Sequence, residues 1–218
     1  LSITSVGHQS IWDFHVPVYN NYFVSGVLHH NSGKTRTSTL DACAYALGKH
    51  PWRKTPKKAA IWFGTTTYDT FAFQAWEHVM RWLLYPGESV LKLPTVNIRS
   101  IDWIKSGKIP KNIYLNNGTT MSVKTYEQGA GEFQSKTIDQ VHPDEECPNA
   151  IWDEINARLR ASHKPRVFVS LTPIKGVEWV HNLRNMALDK RGDVRHFRLK
   201  TLDNPGANKA AIASMMDR

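Results

Sequence analysis

The sequence predicts an α/β domain joined to a short all-β leader. Three observations predict it. From about residue 35 onward, buried-strand runs alternate with helix-period stretches. Before residue 32 there is only strand-like alternation. Between the two lies Ser32-Gly33-Lys34-Thr35, which has the residue types of the end of a phosphate-binding loop.

The 218 residues suffice for one α/β domain plus an appendage. Hydrophobic residues make up 41% and charged residues 22%, an ordinary soluble make-up. No apolar run is long enough to span a bilayer, and no basic n-region precedes an apolar stretch. Neither a membrane partner nor a signal peptide is expected. The two cysteines, Cys43 and Cys147, imply no disulfide framework and a reducing compartment. Charge is divided unevenly. Residues 1–31 hold no Lys or Arg, one acid (Asp13), and four histidines, His8, His15, His29 and His30. All 28 Lys and Arg follow, against 18 acids, so the second piece is +10 and the first −1. A basic domain suits a polyanion such as nucleic acid, or is a solvated basic surface; charge alone favours neither.

In the leader, Ile11 to His29 alternates, with Val16-Pro17 and Ser25-Gly26 as turn points. Trp12, Phe14, Val16, Tyr22-Phe23-Val24 and Val27-Leu28 are β-formers. Two or three short strands and no helix are expected, too little to enclose a core alone. The blocks Trp12-Asp13-Phe14-His15-Val16-Pro17 and Asn20-Asn21-Tyr22-Phe23-Val24-Ser25-Gly26-Val27-Leu28-His29-His30-Asn31 resemble the C-terminal end of an intein, including the terminal His-Asn followed by a hydroxyl residue. The resemblance implies a splice junction between Asn31 and Ser32. The Asn31 amide would attack its own main-chain carbonyl, close a succinimide and cut the chain after itself. His30 would bind that carbonyl or protonate the leaving amine. Ser32 would accept the upstream segment as an ester, before an oxygen-to-nitrogen shift leaves a peptide bond. Asp13 matches an assisting acid of the family; Asn20 departs from it, standing where many inteins carry histidine. The upstream intein blocks do not precede residue 1. The leader is therefore expected to be a fragment of a longer intein or the C-terminal half of a split one, with an upstream intein half as partner. A β-hairpin leader with a chance His-Asn-Ser is the plain alternative.

After the junction, Leu40, Cys43, Ala44 and Leu47 fall on one helix face, with Gly48 to cap it and Pro51 to stop it. A helix directly after Gly-Lys-Thr is the order a phosphate loop requires. Backbone N–H groups and the helix N-terminus hold phosphates, Lys34 neutralises them, and Thr35 Oγ1 ligates Mg²⁺. The full pattern G-x-x-x-x-G-K needs glycine at position 28, where Leu28 stands. Splicing at Asn31/Ser32 would put the upstream half of the loop back, and only then would nucleotide binding be expected.

Lys58–Gly64 reads as a buried strand. Thr67 or Asp69 caps a helix through Leu84, with Ala72, Trp76, Val79 and Leu83 as its buried stripe. Residues 86–111 read as a loop-rich insertion. Ile113–Leu115, Asn116-Asn117-Gly118 and Thr119–Thr125 read as a hairpin with an Asn-Gly turn. Thr137–His142 reads as a strand leading to Asp144-Glu145-Glu146. Pro143 cannot donate to a ladder, so the strand is expected to end at His142. An acid at such a strand end would hold Mg²⁺, and the next would polarise the attacking water; Asp144 takes the first role and Glu145 the second. Glu146 reinforces the field or lies on the surface. Arg166–Leu171 is another buried strand, ended by Thr172-Pro173. Thr172, with Ser170 behind it, is the candidate for sensing and coupling to the γ-phosphate, against a plain strand-to-loop turn. A helix near 176–189, with Val177, Val180 and Leu183 inward, and a basic strand at Val194–Leu199 follow.

This set resembles the ATPase domain of the large terminase subunits of tailed phages. The resemblance is carried by Ser32–Thr35; Tyr126-Glu127-Gln128-Gly129 with Phe133-Gln134; Asp144-Glu145-Glu146; Ser170-Leu171-Thr172-Pro173 with Lys175-Gly176 and Trp179; and Thr201-Leu202-Asp203-Asn204-Pro205, in family order. It implies a P-loop NTPase fold of the additional-strand-catalytic-glutamate type, with a central mostly parallel sheet, over 32–218, after the intein segment 1–31. It further implies ATP hydrolysis with Mg²⁺ and translocation of double-stranded DNA into a procapsid. A portal protein and a small terminase subunit would be partners, the active form a homo-oligomeric ring, and the host cytoplasm the location. The family's nuclease domain, of RNase H type, is not found before Arg218. Two other readings stand: an intein fragment with incidental cargo, and another P-loop motor such as a helicase. A helicase should offer arginine-bearing motifs of a second lobe, and none fits the remaining residues.

Overall fold

The computed structural model describes residues 2–5, 12–15, 23–24, 27–28, 34–50, 53–79, 97–104, 109–134, 136–163 and 165–197. They belong to two compact units, residues 1–33 with 196–218 and residues 34–195.

In the first unit, β1 (Ser2–Ser5) pairs antiparallel with β2 (Trp12–His15), and β3 (Phe23–Val24) with β4 (Val27–Leu28). There are four short strands among the described residues, where two or three were expected. Only Ser25 and Gly26 separate β3 from β4, the loop length of a tight hairpin.

The second unit opens with helix α1 (Lys34–Ala46). Gly48 ends it in the left-handed region at φ +68°. The Gly48 N–H reaches Tyr45 O at 3.1 Å and the Lys49 N–H reaches Ala44 O at 2.9 Å, a paired closure that satisfies two helix carbonyls. β5 (Ala60–Thr65) follows, then α2 (Tyr68–Phe71), which loosens into a π-turn at Ala72–Trp76. Thr67 caps α2, its hydroxyl accepting from the Thr70 N–H at 3.0 Å. Leu83 and the expected end of this helix lie outside the described residues.

β6 (Ile98–Ile104) and the first residues of β7 (Ile109–Leu115) fall within the stretch expected to be loop-rich, while Ile113–Leu115 is the expected hairpin strand. The half-buried residues of β6 come three apart, at Ile98, Ile101 and Ile104, which is not a strand period. Register shifts between Ile98 and Ser100 and between Asp102 and Trp103 explain this, because each bulge resets the alternation. β7 turns through Asn116-Asn117-Gly118 into β8 (Thr120–Thr125), with Gly118 at φ +86° as an Asn-Gly turn requires.

Short 3-10 turns (Tyr126–Gln128 and Ala130–Phe133) lead to β9 (Gln140–Pro143). α3 (Asn149–Leu159), β10 (Arg166–Val167) and α4 (Glu178–Leu188) complete the unit. β9 runs one residue past the expected end. Pro143 lacks a donor, but its carbonyl still accepts the Ser170 N–H at 3.0 Å. The expected basic strand at 194–199 is not formed at Val194–Phe197, and its last residues lie outside the described set.

The six strands are ordered β10-β9-β5-β8-β7-β6. β10, β9, β5 and β8 are mutually parallel; β7 adds antiparallel to β8, and β6 antiparallel to β7 at the edge. Alternate residues of β5 serve opposite faces. Ile61 and Phe63 pack with α1, α2 and β7, while Trp62 packs with Phe133, Val141, α3 and Trp179. Helices on both faces make the central strands apolar on both sides, so they read as continuous hydrophobic runs. On the second face Trp152 of α3 stacks on Trp179 of α4, with ring centroids 4.2 Å apart and planes within 13°.

Candidate functional site

Three elements converge at the C-terminal end of β9. α1 brings Lys34 and Thr35 in its first turn, which carries no acid. The positive end of its dipole is therefore not neutralised by an acid of the first turn. β9 delivers Asp144, whose N–H donates to Gly64 O at 2.7 Å. The segment after β10 brings Ser170, bridged to Asp144 in parallel fashion.

The side chains meet. Thr35 Oγ1 donates to Asp144 Oδ1 at 3.1 Å and lies 3.3 Å from Oδ2. Ser170 Oγ donates to Asp144 Oδ1 at 2.5 Å. Burial raises the Asp144 carboxyl above its usual range, with the Glu145 charge adding to the rise; the Ser170 and Thr35 hydroxyls and the Lys34 charge oppose it. The Tyr126 hydroxyl donates to Asp144 O at 3.2 Å. Its ring lies against Gly64, where a Cβ would come within 3.0 Å of Tyr126 Cε1 and Oη.

Glu145 sits at φ +66°, a strained backbone for a residue with a side chain. Its N–H donates to Ser170 O at 2.7 Å, and its Oε2 accepts the Thr172 N–H at 3.1 Å. Thr172 thus meets Glu145 through its backbone. Glu146 is not a surface acid: it is 2% exposed and accepts the N–H groups of Ile174 and Lys175.

A family matches this chain over residues 30–217: terminase large subunit, T4likevirus-type, N-terminal. The chain belongs to this family. The large terminase of a thermophilic bacteriophage has a similar structure. Its crystal form 2 aligns with a TM-score of 0.60 at 14% identity, covering 85% of this chain and 42% of that one. The same phage protein in complex with ATP-gamma-S matches with a TM-score of 0.55 at 13% identity, over 84% and 41% of the two chains. Its ADP complex matches with a TM-score of 0.57 at 14% identity, over the same shares. This chain therefore spans less than half of that phage's terminase. No curated protein matches it by sequence. At this identity the likeness shows the fold, a mixed α/β domain with a mostly parallel sheet.

In this terminase-family domain a buried polar layer sits directly beneath the site. His142 Nδ1 pairs with Ser38 Oγ at 2.9 Å, and Nε2 faces the Gln140 Nε2 amide at 2.6 Å. The same amide nitrogen donates to Asp41 Oδ2 at 2.8 Å. Two acceptors on one NH₂ fix the amide orientation and make His142 the neutral Nδ1–H tautomer. Burial and the Arg166 charge lower His142 to about 4, against the opposing pull of Asp41. Asp41 also binds Arg166 Nη2 at 2.7 Å and His50 Nε2 at 3.1 Å. Burial alone would raise the Asp41 carboxyl; the His50 hydrogen bond and the Arg166 charge, joined by His142 once acid protonates it, outweigh it and hold the group at about 2. The layer ties α1, the carrier of Lys34 and Thr35, to β9 and β10, the strands that lead into Asp144 and toward Ser170.

Of the residues singled out in the sequence, Lys34, Thr35, Asp144, Glu145 and Thr172 are gathered here. His30, Asn31, Ser32 and Gly33 lie outside the described residues. Asp13 stands in β2 opposite Thr4. Leu28, where a complete phosphate loop would have its first glycine, lies in β4 opposite Phe23. Sequence reasoning missed Asp41, Gln140, His142 and Arg166. A helical acid, a strand Gln-x-His pair and an arginine opening a strand carry no signal until the sheet order is known. Glu146 was expected either to reinforce the field or to lie on the surface, and it is buried.

The donors at the site, a threonine hydroxyl and an aspartate, are hard oxygens that suit Mg²⁺. Among the described residues no group of three or more His, Cys, Asp or Glu could hold a metal. Mg²⁺ is commonly held by one or two carboxylates, with water and phosphate completing its shell. Among the described residues no helix is long and apolar enough to cross a membrane.

Proposed function

We propose that residues 32–218 form the ATP-hydrolysing motor domain of a phage terminase large subunit that packages double-stranded DNA into procapsids. We propose further that an intein interrupts its phosphate-binding loop, with the downstream splice junction at Asn31/Ser32. The observation that carries the first reading is the meeting of the Thr35 hydroxyl, the Asp144 carboxylate and the Ser170 hydroxyl beside Glu145, at the first turn of α1. The thermophilic phage's terminase in complex with ATP-gamma-S and with ADP lends support.

In this reading Lys34 and the α1 N-terminus hold phosphate oxygens. Thr35 and Asp144 hold Mg²⁺, which when bound neutralises charge developing on the transferred phosphoryl group. Asp144 accepts hydrogen bonds from both hydroxyls, which commits it to positioning. Glu145 is half-buried and its carboxylate has one backbone donor, so it is the group left to orient and deprotonate a water. Thr172 couples Glu145 to the loop after β10. The +10 charge of the piece beyond Asn31 suits a duplex DNA backbone. A portal protein, a small terminase subunit and a ring of identical subunits complete the reading.

The test compares the protein before and after ligation to a matching upstream intein half, followed by mass spectrometry. A product that begins its downstream part at Ser32 and hydrolyses ATP is expected, with Lys34→Ala or Glu145→Gln abolishing turnover. An intact Asn31/Ser32 bond with or without the partner would sink the splicing reading. Vigorous ATPase before ligation would contradict the half-loop argument.

A further inference from the structure

We propose that Glu146 is a positioning residue for Glu145, acting through the loop 172–175. The proposal rests on the ATPase reading above and assigns a role to an acid that the reading leaves unused.

Every residue from Thr172 to Gly176 is exposed, and Ile174 is 80% exposed. The loop therefore owes its conformation to little apolar burial of its own. Its backbone donors hold it instead. Glu146 Oε2 accepts the consecutive N–H groups of Ile174 at 3.1 Å and Lys175 at 2.5 Å. Lys175 Nζ returns to Glu146 O at 3.4 Å, and the Trp179 indole donates to Cys147 O at 2.9 Å. Pro173, which has no N–H and a fixed φ, links these anchored residues to Thr172. The Thr172 N–H then donates to Glu145 Oε2 at 3.1 Å. Two neighbouring carboxylates thus grip one exposed loop, the buried one at its far end and the half-buried one at its near end.

A carboxylate 2% exposed is costly unless hydrogen-bonded. Packing alone would be served by a leucine of similar volume. What leucine cannot supply is an acceptor for two backbone donors. Glu145 needs the help, because its φ of +66° is not a conformation that its own residue type favours. Without the Glu146 anchor the Thr172 N–H is free to drift, and with it the direction of the Glu145 carboxylate.

The experiment uses the spliced full-length protein and the variants Glu146→Leu and Glu146→Gln, with Lys34→Ala as control. Steady-state ATPase and amide hydrogen exchange at Ile174 and Lys175 are measured together. The leucine variant is expected to lower kcat about 10²-fold, the scale of a misplaced catalytic group, with the KM for ATP changed less than about threefold on the same argument. It is also expected to lose protection at both amides. The glutamine variant keeps an acceptor oxygen and should recover both readouts. An active, Lys34-dependent parent whose kcat is indifferent to Glu146→Leu overturns the positioning role alone. Fast exchange at Ile174 and Lys175 in the parent does the same, whether or not either variant folds. A parent without ATPase overturns the functional reading and this role with it.

Discussion

The His142 imidazole should make the stability of this protein depend on pH in a defined window. It is buried, its Nε2 takes a hydrogen from the Gln140 amide, and the rings of Phe63 and Phe168 lie 5.7 and 5.8 Å away. Protonating Nε2 would set a donor against a donor in a site that also faces the Arg166 cation. Its value falls from 6.5 to about 4 on folding. At about 1.4 kcal/mol per pH unit, that lowering is worth about 3 kcal/mol. The sign follows from proton counting. Between about 6.5 and 4 the unfolded chain binds the proton and the folded chain does not. The contribution is fully present above pH 6.5 and is lost as the pH falls to about 4. Asp41, at about 2 when folded and 3.8 otherwise, stays ionised in both states through most of that range and adds its own loss only below it. Asp144 titrates in the opposite sense, because its carboxyl is raised. Comparing the parent with His142→Gln cancels the Asp144 contribution, while Asp41, whose lowering depends in part on His142, is kept out by staying above about pH 4. Urea unfolding at pH 7.5 and 4.5 should show the parent losing about 2–3 kcal/mol relative to the variant, as linkage requires. A difference constant to within about 0.5 kcal/mol, or His142 ring protons that titrate near the ordinary histidine value, refutes the reasoning.

Two further outcomes are expected. Arg166→Met leaves the Asp41 carboxylate, among the described residues, hydrogen-bonded by His50 and Gln140 alone and should cost about 3 kcal/mol in urea unfolding, with Asp41→Asn in the same chain recovering part of it. Gly64→Ala places a methyl group 3.0 Å from Tyr126 Cε1 and Oη, so the ring must move; calorimetry should show a loss of about 1–3 kcal/mol.

Legibility differed between elements for physical reasons. β5 and β9 are buried on both faces, so composition alone announced them. The β7–β8 hairpin was fixed by the local chemistry of Asn117-Gly118, and α1 by its spacing and by Gly48. β6 was not legible, because two bulges turned its alternation into a three-residue spacing. Pro143 misled by one residue, since its carbonyl still had a partner in Ser170. In the site, Lys34, Thr35, Asp144 and Glu145 could be named because charge and order sufficed. The Asp41–Gln140–His142–Arg166 layer could not, because its members come from three elements whose adjacency is a property of the sheet order. Thr172 could be named as a hydroxyl after a strand, but its contact with Glu145 runs through the backbone, which no side-chain pattern encodes.

The stacked indoles of Trp152 and Trp179 have a use beyond packing. One sits on α3, directly downstream of the acid run; the other sits on α4, which the exposed loop opens into. Rings this close couple their electronic transitions, so near-ultraviolet circular dichroism will carry a signature that depends steeply on their separation and tilt. The protein therefore contains an unlabelled optical gauge. Movement of the loop that shifts α4 against α3 during a nucleotide cycle would be read as a change in that signature. Single replacement of either tryptophan by phenylalanine would identify the signal as theirs.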